Sequence, residues 1–317
     1  MDTKILISVE QLHRHYGHIL AVEAISFELA QGEVLGFLGP NGAGKSTTMQ
    51  MITGNLAPSS GRVRINGIDL LDEPKRAKAE IGYLPEQPPL YQDLTVDEYL
   101  YYCARLHRVS KGRRSQAVKR ARDRCGLGGT GRRLIGNLSK GFQQRVGIAQ
   151  AILHSPPVVI LDEPTVGLDP NQIRDIRTLI RELGENHGII LSTHILPEVQ
   201  ATCSRVQIIH RGKLVFSETM QELEQRLTSH ALVLETRKPC SAQHLEAVPG
   251  IQRVEPLGET RARLQFEEDN PADAVAACVA SQGWGLVELS LDRQTLEQVF
   301  VDLTCSDAPA PDGVAAV

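Results

Sequence analysis

The chain has 317 residues, and its 34 Lys and Arg against 38 Asp and Glu give a formal net charge of −4. Hydrophobic residues make up 41% and charged residues 23%, values typical of soluble globular proteins that exclude collagen-like, coiled-coil and wholly disordered chains. No apolar run approaches the roughly 18 residues of a membrane-spanning helix, and no secretory signal pattern opens the chain. We therefore expect a cytoplasmic protein, and at about 150 residues per domain we expect two domains.

The cysteines are scattered along the chain and include no C-x-x-C pair. This spacing favours reduced thiols over a disulfide framework or a zinc site. The six positions are Cys103, Cys125, Cys203, Cys240, Cys278 and Cys305.

The first part of the chain is predicted to be rich in strands. Alternating apolar and polar residues over 5–9 and 25–29 indicate half-buried strands, and the apolar run Val34–Leu38 indicates a strand covered on both faces. A Gly-rich turn follows, then a helix that ends near Gly54. Another short strand is predicted over 61–68.

Residues 95–155 are predicted to be mostly helical. Thr95 and Glu98 have the spacing of a capping box. Nine Lys and Arg lie between Arg105 and Arg124. Because no aromatic residues are interleaved with them and the whole chain is slightly acidic, we interpret them as a solvated helical face and expect no nucleic-acid binding.

Residues 156–215 alternate between strands and helices. Strands are predicted over 158–161, 188–192 and 205–210, and a helix over 172–185. Alternation of this kind with apolar strands predicts a mostly parallel sheet that is covered on both faces.

A smaller second domain is predicted after the first. Its elements follow the order β-α-β-β-α-β of a ferredoxin-like module, and a last helix comes after them. We predict a first domain over 1–228 with a helical subdomain at about 95–155, an accessory α+β domain over 229–304 and a disordered tail over 305–317. The predicted elements of the accessory domain span residues 231–236, 242–247, 251–256, 262–267, 272–281, 286–291 and 295–303.

The turn after Val34–Leu38 matches the phosphate-binding motif G-x-x-x-x-G-K-[ST] and opens a helix, which is the context that the motif requires. Backbone N–H groups and the helix N-terminus would converge on phosphate oxygens. Lys45 would reach the β- and γ-phosphates, and Ser46 would ligate Mg²⁺. Because the third glycine of G-x-G-x-x-G is absent, a nucleoside triphosphate is favoured over a dinucleotide. The predicted binding residues are Gly39, Pro40, Asn41, Gly42, Ala43, Gly44, Lys45, Ser46 and Thr47.

The apolar strand predicted at 158–161 ends in two carboxylates, Asp162 and Glu163. Asp162 would face the metal, and Glu163 would polarise the attacking water. An apolar run followed by Asp-Glu is also a common strand-to-loop transition. The phosphate loop earlier in the chain favours the functional interpretation.

A third motif distinguishes this chain from other nucleoside triphosphatases. Residues 138–145, Leu-Ser-Lys-Gly-Phe-Gln-Gln-Arg, resemble the L-S-G-G-Q signature of the ATP-binding cassette (ABC) transporter ATPases. Lys140 replaces a glycine and Phe142 replaces the glutamine, whereas Ser139 and Gly141 remain. The resemblance covers roughly residues 5–220. It implies a P-loop α/β fold with a mixed, mostly parallel sheet, a β-rich N-terminal part and a helical subdomain.

The resemblance also implies that ATP lies between two copies of the chain arranged head to tail. Ser139, Lys140 and Gly141, at the start of a helix, would complete the nucleotide pocket of the opposite protomer. Asp169 matches the D-loop, which joins the two sites across the dimer. The implied ligands are ATP and Mg²⁺.

Three further positions match the family's pattern. Tyr16 lies where an aromatic ring stacks on adenine, although by itself it is equally well interpreted as a core tyrosine. His194, at the end of a predicted strand, matches the histidine that contacts the γ-phosphate. Glu86 stands at the position of the Q-loop glutamine, and we prefer it to Gln87 as the group that reaches Mg²⁺ or the attacking water.

Residues 81–91 and 295–300 resemble bacterial exporter ATPases of the multidrug and gliding-motility type. The implied function is the ATPase subunit of an exporter, held on the inner face of the cell membrane by separate permease subunits. An importer ATPase is the main alternative, and a soluble ABC ATPase without a transport role is another. The transported substrate is not encoded here, because substrate contacts belong to the membrane partner.

Overall fold

The structure is a computed structural model that describes residues 4–227, 230–267, 270–292 and 296–305. These residues divide into two compact units, a larger one formed mostly by the residues up to Met220 and a smaller one over Gln221–Asp302. The predicted boundary at residue 228 lies outside the described residues, as does the predicted tail beyond Cys305.

Strands and helices alternate through both units. Up to the boundary they are, in chain order, β1 (Ile5–Tyr16), β2 (Ile19–Ala30), β3 (Val34–Leu38), α1 (Lys45–Ile52), β4 (Ser60–Ile65), β5 (Ile68–Asp69), α2 (Pro74–Ala79), β6 (Ile81–Leu84), α3 (Val96–Leu106), α4 (Arg114–Arg124), α5 (Lys140–Ile152), β7 (Val158–Asp162), α6 (Pro170–Gly184), β8 (Gly188–Thr193), α7 (Leu196–Thr202), β9 (Arg205–His210) and β10 (Lys213–Thr219). The elements that follow are α8 (Met220–Leu227), β11 (Ala231–Thr236), α9 (Ala242–Glu246), β12 (Ile251–Pro256), β13 (Arg261–Phe266), α10 (Ala272–Ser281), β14 (Leu286–Leu291) and α11 (Leu296–Cys305).

The central sheet of the larger unit has the strand order β10-β9-β3-β8-β7-β6. Neighbouring strands run parallel, except that β10 pairs antiparallel with β9. Every residue of β3, β7 and β8 is buried, as expected of parallel strands covered on both faces. The predicted mostly parallel sheet is confirmed, and the carboxyl ends of these three strands meet at one edge. The sequence did not predict the edge strand β10 or the short helices α2 and α7.

A second, antiparallel sheet with the order β2-β1-β4-β5 forms the β-rich N-terminal part. Its side chains Leu12, Ile25 and Ile65 belong to the same apolar core as Phe37 of β3 and Met49 of α1. This shared core holds α1, and with it the turn that precedes α1, in place against both sheets.

The predicted helical region consists of α3, α4 and α5. The capping box at the start of α3 is confirmed, because the Glu98 N–H donates to the Thr95 hydroxyl at 3.3 Å and the Thr95 N–H donates to the Glu98 carboxylate at 2.9 Å. Arg122 of α4 pairs with Asp97 of α3 at 2.7 Å, which ties the two helices together. Within the described ranges, no helix of either unit combines the length and the hydropathy that crossing a bilayer requires.

The smaller unit contains an antiparallel sheet with the order β12-β13-β11-β14. Its core includes Leu232 and Leu264 from the sheet, Val275 from α10, and Trp284. The observed element order is β-α-β-β-α-β, which is that of a ferredoxin-like module, and α11 follows it.

The described cysteines outside α11 are free thiols. Cys125 and Cys203 are deeply buried, and burial raises the pKa of each thiol to about 12. Because the thiolate is the reactive form, these two side chains are inert at neutral pH.

Two histidine rings stack between the helical region and the central sheet. His107 follows α3 and His154 follows α5, and their ring centroids lie 3.9 Å apart with the ring planes 9° from parallel. His154 Nε2 donates to the carbonyl oxygen of Ile81 at 3.2 Å. Burial lowers the pKa of both imidazoles, that of His154 to about 4 with a further contribution from His107. Both rings are therefore neutral in the folded protein near neutral pH.

We expect the free energy of unfolding to fall by about 2 kcal/mol between pH 7 and pH 4.5 through His154, because the imidazole of the unfolded chain takes up a proton in this window and that of the folded chain does not. Urea unfolding at both pH values measures the change. His154→Phe keeps a stacked ring without a titrating nitrogen, so its loss should be smaller by that amount. His18→Phe, at an exposed position, should match the parental protein. Equal pH dependence in His154→Phe and the parental protein would contradict this account.

Candidate nucleotide-binding site

A cavity of about 490 Å³ opens where β3, β7 and β8 end. Parallel strands bring distant parts of the chain to this edge, which is the usual position of ligand sites in such sheets. Most of the lining residues were predicted from the motifs. Ala21 and Val166 were not, because a small apolar residue carries no motif signal. The residues that line the cavity are Ala21, Asn41, Gly42, Gly44, Lys45, Ser46, Thr47, Glu86, Glu163, Val166 and His194.

The phosphate loop has a backbone that its glycines make possible. Gly42 and Gly44 have φ angles of +79° and +108°, in the region where glycine is favoured. A Cβ on Gly44 would also lie 2.8 Å from the carbonyl oxygen of Ala21. Gly44 precedes α1. No side chain caps this helix N-terminus and its first turn has no acidic residue, so the backbone N–H groups there are open to an anion.

Lys45 is buried at the start of α1. Its ammonium donates to the carbonyl oxygen of Gly39 at 2.8 Å and to that of Pro40 at 3.3 Å. It also lies 3.7 Å from Oε1 of Glu163, whose side chain is 8% exposed. The ammonium is thus held between the carbonyl oxygens of the phosphate loop and the Glu163 carboxylate. Gly39 and Pro40 bind it without lining the cavity themselves.

Asp162, at the end of β7, carries a buried oxygen, Oδ1, without a hydrogen-bond partner. Burial raises the pKa of its carboxyl, and the charges of Glu163 and Glu86 raise it further. Ser46 is also close enough to act on this carboxyl. An orphaned carboxylate oxygen close to a serine hydroxyl and a second carboxylate fits a hard divalent cation such as Mg²⁺, which prefers oxygen ligands.

Glu163 and His194 meet although they follow different strands. Nδ1 of His194 donates to the Glu163 carboxylate, 2.9 Å from Oε2 and 3.0 Å from Oε1. Glu163 has a φ angle of +49°, and its N–H donates to the carbonyl oxygen of Ser192 at 2.8 Å. A left-handed backbone is unusual for glutamate, and strain of this kind is concentrated at functional sites. Here it accompanies a carboxylate that lines the cavity.

Several predicted site residues lie outside the cavity wall. Tyr16 is 44% exposed, and the guanidinium carbon of Arg14 lies 4.7 Å from the centre of its ring, a contact that the sequence did not predict. Gln87 is exposed and does not line the cavity, whereas Glu86 does. Ala43 is buried beneath the phosphate loop.

Ser139 and Lys140 of the signature are exposed, Gly141 is buried, and the signature lies against the segment that contains Asp169. Ser139 precedes α5 and its hydroxyl accepts from the N–H of Phe142 at 3.4 Å. The Lys140 side chain lies directly over Gly167, where a Cβ would collide with its ammonium. Gly141 faces the side chain of Gln172 in the same way. The Asp169 carboxylate caps α6 by accepting from two backbone N–H groups, each at 3.0 Å.

Comparisons with known proteins agree with this geometry. The sequence profile of the ABC transporter family matches residues 22–166. An uncharacterized ABC transporter ATP-binding protein, YxlF of Bacillus subtilis (strain 168), is 31% identical over 296 residues, which cover 93% of this chain and 98% of that protein. The bacitracin transport ATP-binding protein BcrA of Bacillus licheniformis is 38% identical over 223 residues, or 70% of this chain and 72% of that protein. A solved dimeric bacterial ABC transporter cassette, MJ0796, is 25% identical with a TM-score of 0.62 and covers 68% of this chain and 99% of that one.

A phosphate loop between a buried parallel strand and a helix, with acidic residues at the end of another strand of the same sheet, defines a P-loop nucleoside triphosphatase. Within that class, this chain belongs to the ABC transporter family and is one of its ATP-binding proteins. ATP hydrolysis is the characteristic activity of the family, and the protein is an ABC ATPase.

Proposed function

We propose that the protein is the ATP-hydrolysing subunit of an ABC exporter that drives transport through separate membrane subunits. The observation that carries the catalytic part is that Lys45, Glu163 and His194 meet in one cavity beside the phosphate loop. Similarity to a bacitracin transport ATP-binding protein supports the export direction.

ATP binding rests on the loop and on the residues around it. The triphosphate lies against the backbone N–H groups before α1, with the Lys45 ammonium on the β- and γ-phosphates. The exposed ring of Tyr16 stacks on adenine. Ser46, Asp162 and Glu86 hold Mg²⁺, and the orphaned oxygen of Asp162 supports this assignment. When bound, Mg²⁺ supplies positive charge that neutralises the β- and γ-phosphates.

Hydrolysis needs a group that takes a proton from the attacking water. Glu163 fits this role because its carboxylate lines the cavity and is held by His194 on one side and Lys45 on the other. The donated hydrogen bond from His194 fixes the direction of the carboxylate. The His194 side chain is 42% exposed, so its ring is also accessible to the γ-phosphate.

Two copies of the chain complete each site. Ser139 and Lys140 are exposed at the start of α5, Gly141 beside them is buried, and none of the three lines the cavity of its own chain. In a head-to-tail homodimer they reach the ATP of the opposite protomer, and Asp169 lies between the two sites. The dimeric cassette among the similar solved structures supports the pairing.

Mixed dimers test the head-to-tail arrangement. Lys45→Ala damages the phosphate loop, and Ser139→Arg damages the signature, so each variant alone should be inactive. In an equal mixture, half of the dimers are mixed and each of these has one intact site, so we expect recovery of up to about a quarter of the parental ATP turnover. A mixture of Lys45→Ala with Glu163→Gln, whose defects lie on the same half of the site, should recover nothing. Failure of the first mixture to recover activity would contradict head-to-tail pairing.

The membrane partner decides the transport direction and the position of the protein in the cell. We infer a peripheral position on the inner face of the membrane, reached through the permease. An importer ATPase is the alternative, because it would use the same catalytic residues. Co-purification with a multi-span partner, followed by ATP turnover assays with candidate export substrates, distinguishes the two, since an importer complex would instead respond to a solute-binding protein.

A further inference from the structure

Glu198 is a buried carboxylate that no motif includes. It lies on α7 and is 1% exposed. Its two oxygens accept from two threonine hydroxyls, Oε1 from Thr165 and Oε2 from Thr193, the latter at 2.9 Å. A buried carboxylate is costly unless hydrogen bonds compensate for the lost water, and these two donors provide that compensation.

The two threonines belong to the segments that carry the proposed catalytic pair. Thr165 follows Glu163 by two residues, and Thr193 directly precedes His194. The hydrogen bond between Glu163 and His194 therefore spans the same two segments that Glu198 joins. Glu198 lies behind this contact, and nothing places it in the wall of the cavity.

The direction of one of these hydrogen bonds is fixed by a neighbour. The Thr193 hydroxyl accepts from the N–H of Ile195 at 3.0 Å, so its own proton is directed to Glu198. The Thr165 hydroxyl and the left-handed Glu163 lie on the other side of the carboxylate. One side chain thus holds both the segment after β7 and the segment after β8.

We propose that Glu198 is a positioning residue for ATP hydrolysis, which sets the distance between Glu163 and His194 through Thr165 and Thr193. The inference rests on the proposed hydrolytic role of Glu163. If the inference holds, ATP hydrolysis and ATP binding can be impaired separately, because the phosphate loop and Lys45 are held by contacts that do not involve Glu198. Loss of the Glu198 link should therefore affect the chemical step and leave nucleotide binding intact.

Valine substitutions remove each hydroxyl and keep the shape of the side chain. We expect Thr165→Val and Thr193→Val each to lower kcat by about tenfold while KM and ATP affinity stay within about twofold, because a small misplacement of a catalytic group mainly affects the rate. Thr165→Ser and Thr193→Ser retain the hydroxyl and should return kcat to near the parental value.

Thr202→Val is the matched control. Thr202 is also buried, and its hydroxyl donates to Glu198 at 2.5 Å, but to the backbone carbonyl and not to the carboxylate. We expect parental kcat and KM from it. A general effect of losing a buried hydroxyl near α7 would lower kcat in all three valine variants and would overturn the proposal.

Glu198→Gln tests the carboxylate itself, and it serves if a valine variant does not fold. The amide keeps the size of the side chain but turns one acceptor into a donor, so we again expect a loss in kcat with ATP affinity retained. Parental kcat in Glu198→Gln, or in folded Thr165→Val and Thr193→Val variants, would overturn this inference but would leave the proposed function standing. Absence of ATP turnover in the parental protein would overturn the proposed function, and the inference with it.

Discussion

Glu163→Gln will lower the rate of ATP hydrolysis by at least about 100-fold, which is the usual contribution of a general base, while ATP affinity stays within a few-fold. Glutamine has nearly the same shape as glutamate, so the contacts with the phosphate loop survive. Its amide does not accept the proton of the attacking water. Because the Glu163 side chain is only 8% exposed, bulk water does not replace the carboxylate as the proton acceptor.

Single-turnover hydrolysis and equilibrium nucleotide binding measure these two quantities separately. Glu182→Gln makes the same chemical change at an exposed position of α6 and should leave both unchanged. Because Glu163→Gln binds ATP without consuming it, sedimentation should detect an ATP-bound dimer that accumulates with time. Hydrolysis at the parental rate in this variant would show that another group takes the proton.

Lys45→Ala will weaken ATP binding by roughly 10- to 100-fold, the range expected for loss of a charge-assisted hydrogen bond. The Lys45 side chain is 6% exposed and its ammonium donates to the carbonyl oxygens of Gly39 and Pro40, so its removal also leaves these two acceptors without their donor. The Glu163 carboxylate then faces the phosphates without the intervening positive charge.

Calorimetric titration with ATP measures the loss of affinity, and a thermal melt of the nucleotide-free variant shows whether the fold persists. Lys111→Ala, at an exposed position between α3 and α4, is the control for loss of one positive charge. Unchanged ATP affinity in a folded Lys45→Ala variant would place the triphosphate away from the phosphate loop.

The fold was predictable where burial imposes a pattern on neighbouring residues. The strands β3 and β7 are continuous apolar runs because both of their faces are covered, and both were predicted. The helices α2 and α7 were missed because each is short and begins with a proline in its first turn, so neither shows several turns of apolar periodicity. The strand β10 was missed because it lies at the edge of the sheet, where only one residue, Phe216, is fully buried.

The site residues also divide into those that a local pattern predicts and those that depend on distant parts of the chain. The phosphate loop was predictable because its function depends on adjacent residues with fixed backbone requirements. Glu163 and His194 were each predicted, but their hydrogen bond depends on the pairing of β7 with β8, which no local pattern encodes. The sequence favoured Glu86 over Gln87 as the Q-loop residue but did not decide between them. The cavity wall includes only Glu86 of the two. Glu198 was missed because its two partners, Thr165 and Thr193, lie on separate segments, and Thr165 is distant from it in sequence.

The contact of Lys140 with Gly167 has a consequence for cooperativity. Gly167 has a φ angle of +74° and the Lys140 ammonium lies directly over it, so the signature segment rests on the backbone that follows Glu163 in the same chain. In the proposed head-to-tail pair, the segment that would contact one ATP therefore also contacts the segment that carries the carboxylate proposed to hydrolyse the other. We therefore expect a change at one nucleotide to alter the geometry at the other, so that the pair responds as a unit to the arrival of the second ATP and not to each molecule separately.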